Sequence, residues 1–207
     1  MRILVASDLH SSNQGARTIR EAILSQEPDL TLVCGDITHF GPLAWARSFL
    51  EGLQGRVLAI PGNCDPLETT SLLKDLGVSL HARRVEVDDC TFVGLGGSSP
   101  TPFHTPFEVS EDEIRSALTP LMGPGVILVT HDAPRGHLDV VPGRGSVGSI
   151  AIREIVEEFS PIFSIFGHLH ENPGIHREAT VYINPGGGMF GRYAMIDTET
   201  REVLLKE

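Results

Sequence analysis

Cysteines, long apolar runs and basic residues are all scarce in this sequence of 207 residues. No apolar run approaches the ~18 residues that a membrane-spanning helix needs, so we expect no membrane partner. The only cysteines are Cys34, Cys64 and Cys90, and they form no CxxC pair, which favours a reducing compartment over a disulfide scaffold. The chain also starts on an apolar strand pattern, without the cleavage site of a secretory leader. We therefore expect a cytoplasmic protein.

Acidic residues outnumber basic ones by 27 to 16, which gives a formal net charge of −11. Proteins that grip nucleic-acid backbones neutralise many phosphates with lysine and arginine. Extensive nucleic-acid binding is therefore not expected, whereas one small phosphoester ligand is compatible with this charge. The sequence has no internal repeat and no linker-like stretch, and 41% of its residues are hydrophobic, so we predict a single domain over residues 1–207.

The first part of the chain alternates continuous apolar runs with segments of helical periodicity. Continuous apolar runs are typical of strands that are buried on both faces. The predicted strands are residues 3–6, 30–34 and 57–60, and the predicted helices are residues 15–26, 42–53 and 67–76. This alternation predicts parallel strands joined by right-handed helical crossovers.

The second part predicts further strands, with two helices and two long loops between them. The segments 79–87 and 91–95 have the pattern of an antiparallel hairpin. Ser110 and Glu113 have capping-box spacing at the start of a helix over 108–121, and Ser149 can cap a helix that runs to residue 158. The other predicted strands are residues 126–130, 161–166, 180–183, 193–196 and 203–205, and the loops are residues 96–107 and 133–148.

Potential metal ligands follow these strands at the points where the strands end. The candidate ligands are Asp8, His10, Asp36, Asn63, His131, His168 and His170. Ligands of parallel sheets bind outside the carboxyl ends of the strands, where these side chains fall. Carboxylates, imidazoles and amide oxygens all bind borderline metal ions. Seven donors are too many for one tetrahedral site but suffice for two ions, which can clamp a phosphoryl group while a bridging hydroxide attacks it.

Other interpretations of these residues stay open at this stage. Asn63 also fits the left-handed position of a tight turn, and His131 could be an ordinary loop residue. Arg135 and Arg144 could meet a substrate phosphate, or they could be solvated loop charges. Four other histidines lack ligand spacing and are predicted to lie at the surface: His39, His81, His104 and His176.

The motifs Asp-x-His, Gly-Asp, Gly-Asn, His and Gly-His-x-His, in this order from Ser7 to Asn184, resemble the calcineurin-like metallophosphoesterase family. The short chain and the Gly-Asn-Cys-Asp block are similar to its small prokaryotic phosphodiesterase-type members. The resemblance implies an α/β fold, a four-layer αββα sandwich of two mixed sheets flanked by helices. It also implies a role for each ligand: Asp8, His10 and His170 would hold one metal, Asn63, His131 and His168 the other, and Asp36 would bridge them.

One position departs from the family pattern. Many relatives have a histidine after the Gly-Asn pair, where it protonates the leaving group or stabilises the transition state, and this chain has Cys64. A thiol is a weak hydrogen-bond donor, so esters with poor leaving groups should suffer most. We hypothesise that Cys64, or else His137 from the loop 133–148, acts as the proton donor beside Asn63.

The expected function is a phosphodiesterase that uses two divalent metal ions to hydrolyse a small phosphodiester. Manganese is the favoured metal, and iron, zinc, cobalt and nickel are alternatives. A phosphomonoesterase or nucleotide phosphatase remains the rival activity, and a non-catalytic interaction module on the same scaffold is a third interpretation. The natural substrate, the native metal pair and any homo-oligomer are left open.

Overall fold

A computed structural model describes residues 1–206 of the chain. The strands are β1 (Arg2–Ala6), β2 (Leu30–Cys34), β3 (Arg56–Ile60), β4 (Arg83–Val87), β5 (Cys90–Leu95), β6 (Val126–Thr130), β7 (Val140–Val141), β8 (Gly145–Ser146), β9 (Phe163–Ile165), β10 (Gly174–Arg177), β11 (Val181–Asn184), β12 (Tyr193–Asp197) and β13 (Val203–Lys206). The helices are α1 (Asn13–Gln26), α2 (Leu43–Glu51), α3 (Thr69–Asp75), α4 (Glu111–Leu118) and α5 (Ile150–Phe159). Two short 3₁₀ segments cover Thr119–Leu121 and Gly188–Phe190.

The strands form two large mixed sheets. The first has the order β13-β12-β1-β2-β3, in which β1, β2 and β3 are parallel and β12 runs antiparallel to β1. The second has the order β10-β11-β9-β6-β5-β4, with four parallel strands at its centre and antiparallel strands at both edges. Each sheet therefore has several parallel strands whose carboxyl ends lie at one edge.

Three hydrophobic clusters lie between the layers of the structure and pack them against one another. The cluster between the sheets joins side chains of both, among them Val5, Leu32, Phe92 and Ile127. A second cluster packs α1, α2 and α3 against the outer face of the first sheet, and a third packs α4 and α5 against the second sheet. Because each fully buried aliphatic or aromatic side chain stabilises the fold by about 1.5–3 kcal/mol, these three interfaces fix the layers. The predicted αββα architecture is thus confirmed.

Serine caps set the starts of three helices, and those at Ser110 and Ser149 are the caps that the sequence predicted. The Ser12 and Ser149 hydroxyls accept hydrogen bonds from the backbone amides of Gly15 and Ile152. The capping box between Ser110 and Glu113 is also present. Each such cap satisfies a backbone donor that the first turn of a helix leaves unpaired.

Some boundaries differ from the prediction. The helix predicted over 108–121 is α for only eight residues and then tightens into a 3₁₀ turn at Pro120, which has no amide proton for the helical ladder. The short strands β7 and β8 lie inside the loop predicted over 133–148, and the edge strand β10 was not predicted. Their few residues carry too little periodicity to be recognised. Within residues 1–206, no helix is long and apolar enough to cross a bilayer.

The prediction that His81 is a surface residue was wrong. Its ring is half-buried beside Phe107, and its Nδ1 accepts a hydrogen bond of 2.9 Å from the amide of Gly96. Burial, with a smaller contribution from Lys74, lowers the pKa of His81 to about 4. The neutral ring therefore joins the residues that precede β4 to those that follow β5.

We predict that His81 makes the stability of the protein depend on pH. Because the folded-state pKa lies below the unfolded value of about 6.5, its contribution is complete above pH 6.5 and is lost as the pH falls towards 4. Between pH 7.5 and 4.5, the free energy of unfolding of the wild type should fall by about 2 kcal/mol more than that of His81→Gln, measured by urea denaturation. His104→Gln, at an exposed position, is the control, and parallel pH profiles for wild type and His81→Gln would contradict the assignment.

Candidate metal centre

The seven predicted ligands converge at the carboxyl ends of strands from both sheets. Each follows a strand: Asp8 and His10 follow β1, Asp36 follows β2, Asn63 follows β3, His131 follows β6, and His168 and His170 follow β9. Four of them, Asp8, Asp36, Asn63 and His131, are buried, and the other three histidines are partly exposed. The parallel strands of the two sheets thus bring side chains that are up to 162 positions apart into one place.

One group of donors consists of Asp8, His10 and His170, whose ligand atoms all lie within 4.8 Å of one another. The Nε2 atoms of His10 and His170 are 3.1 Å apart, and His170 Nε2 lies 3.2 Å from Asp8 Oδ1. His10 Nε2 also lies 3.6 Å from Asp36 Oδ2.

The second group consists of Asp36, His131 and His168, which also lie within 4.8 Å of one another, with Asn63 beside them. His131 Nε2 is 3.4 Å from Asp36 Oδ1 and 3.0 Å from Asn63 Oδ1. The two oxygens of Asp36 thus face different groups: Oδ2 faces His10 and Oδ1 faces His131.

These separations fit the coordination spheres of divalent ions. A metal binds nitrogen and oxygen at about 2.0–2.2 Å, so neighbouring ligand atoms in tetrahedral or octahedral geometry lie about 3.0–3.5 Å apart. The pairs above span 3.0–3.6 Å. Nitrogen and carboxylate oxygen together suit borderline ions such as manganese, iron and zinc. The side chains of both groups therefore have the spacing of metal ligands.

Hydrogen bonds orient two of the ligands. His131 Nδ1 lies 2.8 Å from the carbonyl oxygen of Cys34, which can only accept, so Nδ1 carries a proton and Nε2 is the nitrogen that would face a metal after losing its own proton. Asn63 Nδ2 donates to the hydroxyl of Thr105 at 3.1 Å, which turns its carbonyl oxygen towards His131. Both ligands are thus aligned before any ion binds.

The charges of the site are coupled. Burial alone would raise the pKa of the Asp8 and Asp36 carboxyls, but their contacts with His170 and His131 hold both pKa values below the usual range. Burial opposes the charge on His131, yet the carboxylates of Asp36 and Asp8 raise its pKa to about 10. A bound cation would take the place of that proton, so metal binding should release it.

The backbone at the ligands is strained. Asp8, His10, Asp36 and His168 all have positive φ angles, of 57°, 45°, 47° and 67°. A non-glycine residue in this left-handed region costs of the order of 1 kcal/mol or more. Such conformations persist where the surroundings dictate them, and here they coincide with the ligand positions.

Two glycines are required by close approach. A Cβ atom at Gly35 would collide with the His131 ring, and Gly35 also has a φ of +94°. A Cβ atom at Gly167 would overlap the Ser7 hydroxyl and lie 2.6 Å from Asp8 Oδ2. The glycine of each motif therefore makes room for a ligand from another strand.

Asp65 ties two of the ligand loops together. Its buried carboxylate accepts hydrogen bonds from the amides of Ile37, Thr38 and Gly62, at 3.1, 2.7 and 2.8 Å. Burial and the nearby charge of Asp36 raise the pKa of this carboxyl to about 6. Asp65 therefore holds the loops after β2 and β3 in register.

Two cavities adjoin at this centre. The first, here called the arginine cavity, has a volume of about 570 Å³. Its walls include the segment 99–103, Arg135, Arg144, His168 and His170. The second, here called the His39 cavity, has a volume of about 460 Å³, and its walls include His39, Phe40, Cys64 and Met189 together with several of the ligands. Phe103, His168 and His170 border both, so the metal centre lies where the cavities meet.

The two candidate proton donors lie in different places. Cys64 lines the His39 cavity, and its amide donates to Asp36 Oδ1 at 2.8 Å. Burial, followed by the charge of Asp36, raises the pKa of the Cys64 thiol above its ordinary value. His137 stacks on the Tyr182 ring at 3.8 Å next to His176, and it is not among the residues that line either cavity.

Two further residues lie at the site although the sequence did not predict them there, His39 and Thr105. The exposed ring of His39 meets the His10 ring edge-on, with centroids 5.4 Å apart, so it lies at the site although it lacks ligand spacing. Its position three residues after Asp36, on the same strand exit, was the available signal. Thr105 carried no such signal, because it reaches Asn63 from a loop 42 positions away.

Comparisons with known proteins agree with this geometry. A family model described as calcineurin-like phosphoesterase matches residues 1–172. An uncharacterised protein of Methanocaldococcus jannaschii is 33% identical over 222 residues, and the match covers 100% of this chain and 96% of that protein.

Solved structures share the fold. A protein of Thermus thermophilus superposes with a TM-score of 0.77 at 14% identity, covering 100% of this chain and 98% of its own. An archaeal phosphodiesterase superposes with a TM-score of 0.63 at 19% identity, covering 100% and 99%. Because the family model spans most of the chain, including all seven of the side chains that converge here, the chain belongs to the calcineurin-like phosphoesterase family.

Proposed function

We propose that this protein is a phosphodiesterase that binds two divalent metal ions, with manganese favoured, and hydrolyses a small phosphodiester. The observation that carries the proposal is the arrangement of donor atoms into two groups that share Asp36, at separations of 3.0–3.6 Å. All seven ligand positions are occupied by residues able to bind metal, which argues against a non-catalytic interaction module on this scaffold.

The chain's own residues would position the reactants. When bound, the two cations would neutralise charge on the phosphoryl group and lower the pKa of a coordinated water. In the overall reaction the oxygen of water forms a new bond to phosphorus, the ester bond breaks, and the alcohol leaves with a proton. Asn63 and His131 would hold their cation in a fixed place because Thr105 and the Cys34 carbonyl already orient them.

The two cavities favour a diester over a monoester. A phosphodiester bound at the centre has two ester arms, and one cavity opens on each side of His168 and His170. A phosphomonoester has a single arm and would leave one cavity unused.

The three cysteines are free thiols, which supports the inference that the protein works in the reducing cytoplasm.

The first prediction concerns metal binding. Asp36→Asn removes the negative charge between the two groups, so the variant should retain fewer than one manganese ion per chain where the wild type retains about two, measured by elemental analysis after dialysis. Manganese at a hundredfold excess over Kd should stabilise the wild type by about 2.7 kcal/mol for each ion that binds, and Asp36→Asn should lose most of this gain. The exposed Asp89→Asn is the matched control, and retention of both ions by Asp36→Asn would refute the bridging role.

The second prediction concerns the reaction. After chelator stripping and reloading with manganese, kcat/KM for bis(p-nitrophenyl) phosphate should exceed that for p-nitrophenyl phosphate at least tenfold, because only the diester fills both cavities. Faster hydrolysis of the monoester would establish a phosphatase instead. Absence of turnover with manganese, iron, zinc, cobalt and nickel would reject an enzyme altogether.

The third prediction concerns the proton donor. His137→Ala should leave kcat unchanged for an alkyl ester, which is a poor leaving group, because the ring packs on Tyr182 outside both cavities. A fall in kcat for the alkyl ester that is absent for the p-nitrophenyl ester would instead assign the proton transfer to His137.

A further inference from the structure

The two cavities beside the metal centre differ in charge. The arginine cavity is lined by Arg135 and Arg144, with one carboxylate, Glu171, in its wall. The walls of the His39 cavity contain no lysine or arginine among the described residues. An ester arm that enters the arginine cavity therefore meets two guanidinium groups, and the arm on the other side meets none.

Arg135 and Arg144 are available for a ligand. Elsewhere in the structure, arginines pair with carboxylates, as in Arg56–Asp88 at 2.8 Å and Arg153–Glu157 at 2.7 Å. Among residues 1–206, no carboxylate lies within 4.0 Å of a nitrogen of Arg135 or Arg144. Arg135 has a longer-range electrostatic interaction with Asp139, but among the described residues neither guanidinium group on this cavity wall has a carboxylate at ion-pair distance.

The rest of the arginine cavity suits the body of an ester arm. Val141, Val147 and Leu169 provide apolar wall, and Ser99 and Thr101 provide hydroxyls. Phe103 is 77% exposed and stands between the two cavities, and the Arg144 guanidinium lies 6.0 Å from the centre of its ring. The ring thereby positions the Arg144 guanidinium at the edge of the cavity.

We propose that the substrate is an asymmetric phosphodiester, one arm of which carries a second anionic group such as a phosphate. Arg135 and Arg144 bind that second anion in the arginine cavity, and the arm without it occupies the His39 cavity beside Phe40 and Met189. Guanidinium groups bind phosphate oxygens through paired, charge-assisted hydrogen bonds, which makes arginine suited to this task. The inference rests on the proposed phosphodiesterase function, because it assumes that the scissile phosphate binds at the metal centre and that each ester arm extends from there into one of the two cavities.

The test uses two substrates with the same scissile bond and the same leaving group. They are the p-nitrophenyl ester of thymidine 5′-phosphate and the same ester with an additional 3′-phosphate. With the manganese-loaded wild type at low salt, kcat/KM should be at least tenfold higher for the 3′-phosphorylated substrate, mainly through a lower KM. In Arg135→Gln/Arg144→Gln, this ratio should fall to about one, whereas Arg47→Gln, on helix α2 and outside the walls of both cavities, should keep it. Raising the salt should reduce the wild-type ratio, because the attraction is between charges near the surface.

A binding measurement separates this inference from the proposed function. Calorimetry should show that thymidine 3′,5′-bisphosphate binds the wild type at least tenfold more tightly than thymidine 5′-phosphate, and that the double variant binds both alike. Turnover of both esters with equal kcat/KM would overturn the anion subsite and leave the phosphodiesterase intact. If neither ester is hydrolysed, the phosphodiesterase proposal is rejected. The ratio of the two affinities from calorimetry then decides on the subsite alone: a tenfold ratio supports it, and a ratio of one rejects it.

Discussion

The buried carboxylate of Asp36 is the constraint on which the rest of the site depends. A charged group without water is costly unless other charges and hydrogen bonds compensate it. Here one oxygen faces His10, the other faces His131, and the Cys64 amide donates to the latter. These partners come from three strand ends in two sheets, so the carboxylate holds together the region that would bind the metals. The same negative charge is what divalent cations would neutralise.

The loops around Asp36 adopt strained backbone conformations at the positions that carry its partners and the other ligands. Left-handed backbone at Asp8, His10, Asp36 and His168 stores strain that regular turns avoid, and the layered core and the hydrogen bonds of Asp65 offset it. Before a cation binds, the His131 imidazolium supplies part of the compensating positive charge, because Asp36 and Asp8 raise its pKa to about 10. The site is therefore preorganised: its donors already lie at the distances expected between metal ligands, and binding of a cation would release a proton.

The sequence predicted the features that strand periodicity controls. Apolar runs located β1, β2, β3 and β6, and because parallel strands end at the same edge, the residues after them were predicted to meet, as they do in the structure. Features that depend on loops could not be predicted. Thr105 reaches Asn63, and Gly96 reaches His81, through contacts that no periodicity encodes. Likewise the sequence left open whether Cys64 or else His137 is the proton donor, and the structure separates them because His137 packs on Tyr182 while Cys64 lines the His39 cavity.

This division between strands and loops explains how one scaffold can keep its chemistry and vary its substrate. The ligand residues follow strands whose positions are fixed by the hydrophobic core, whereas much of the cavity walls comes from the segments 96–107 and 133–148. Hydrogen bonds anchor each segment at particular points: the Asp132 carboxylate accepts from the Ser99 amide at 2.8 Å, and the Asp139 carboxylate accepts from the Gly148 amide at 2.9 Å. Substitutions between such anchors, at Phe103, Arg135 or Arg144, can change what the cavities hold without moving a metal ligand. Specificity is thus encoded in those parts of the chain where sequence patterns carry the least structural information.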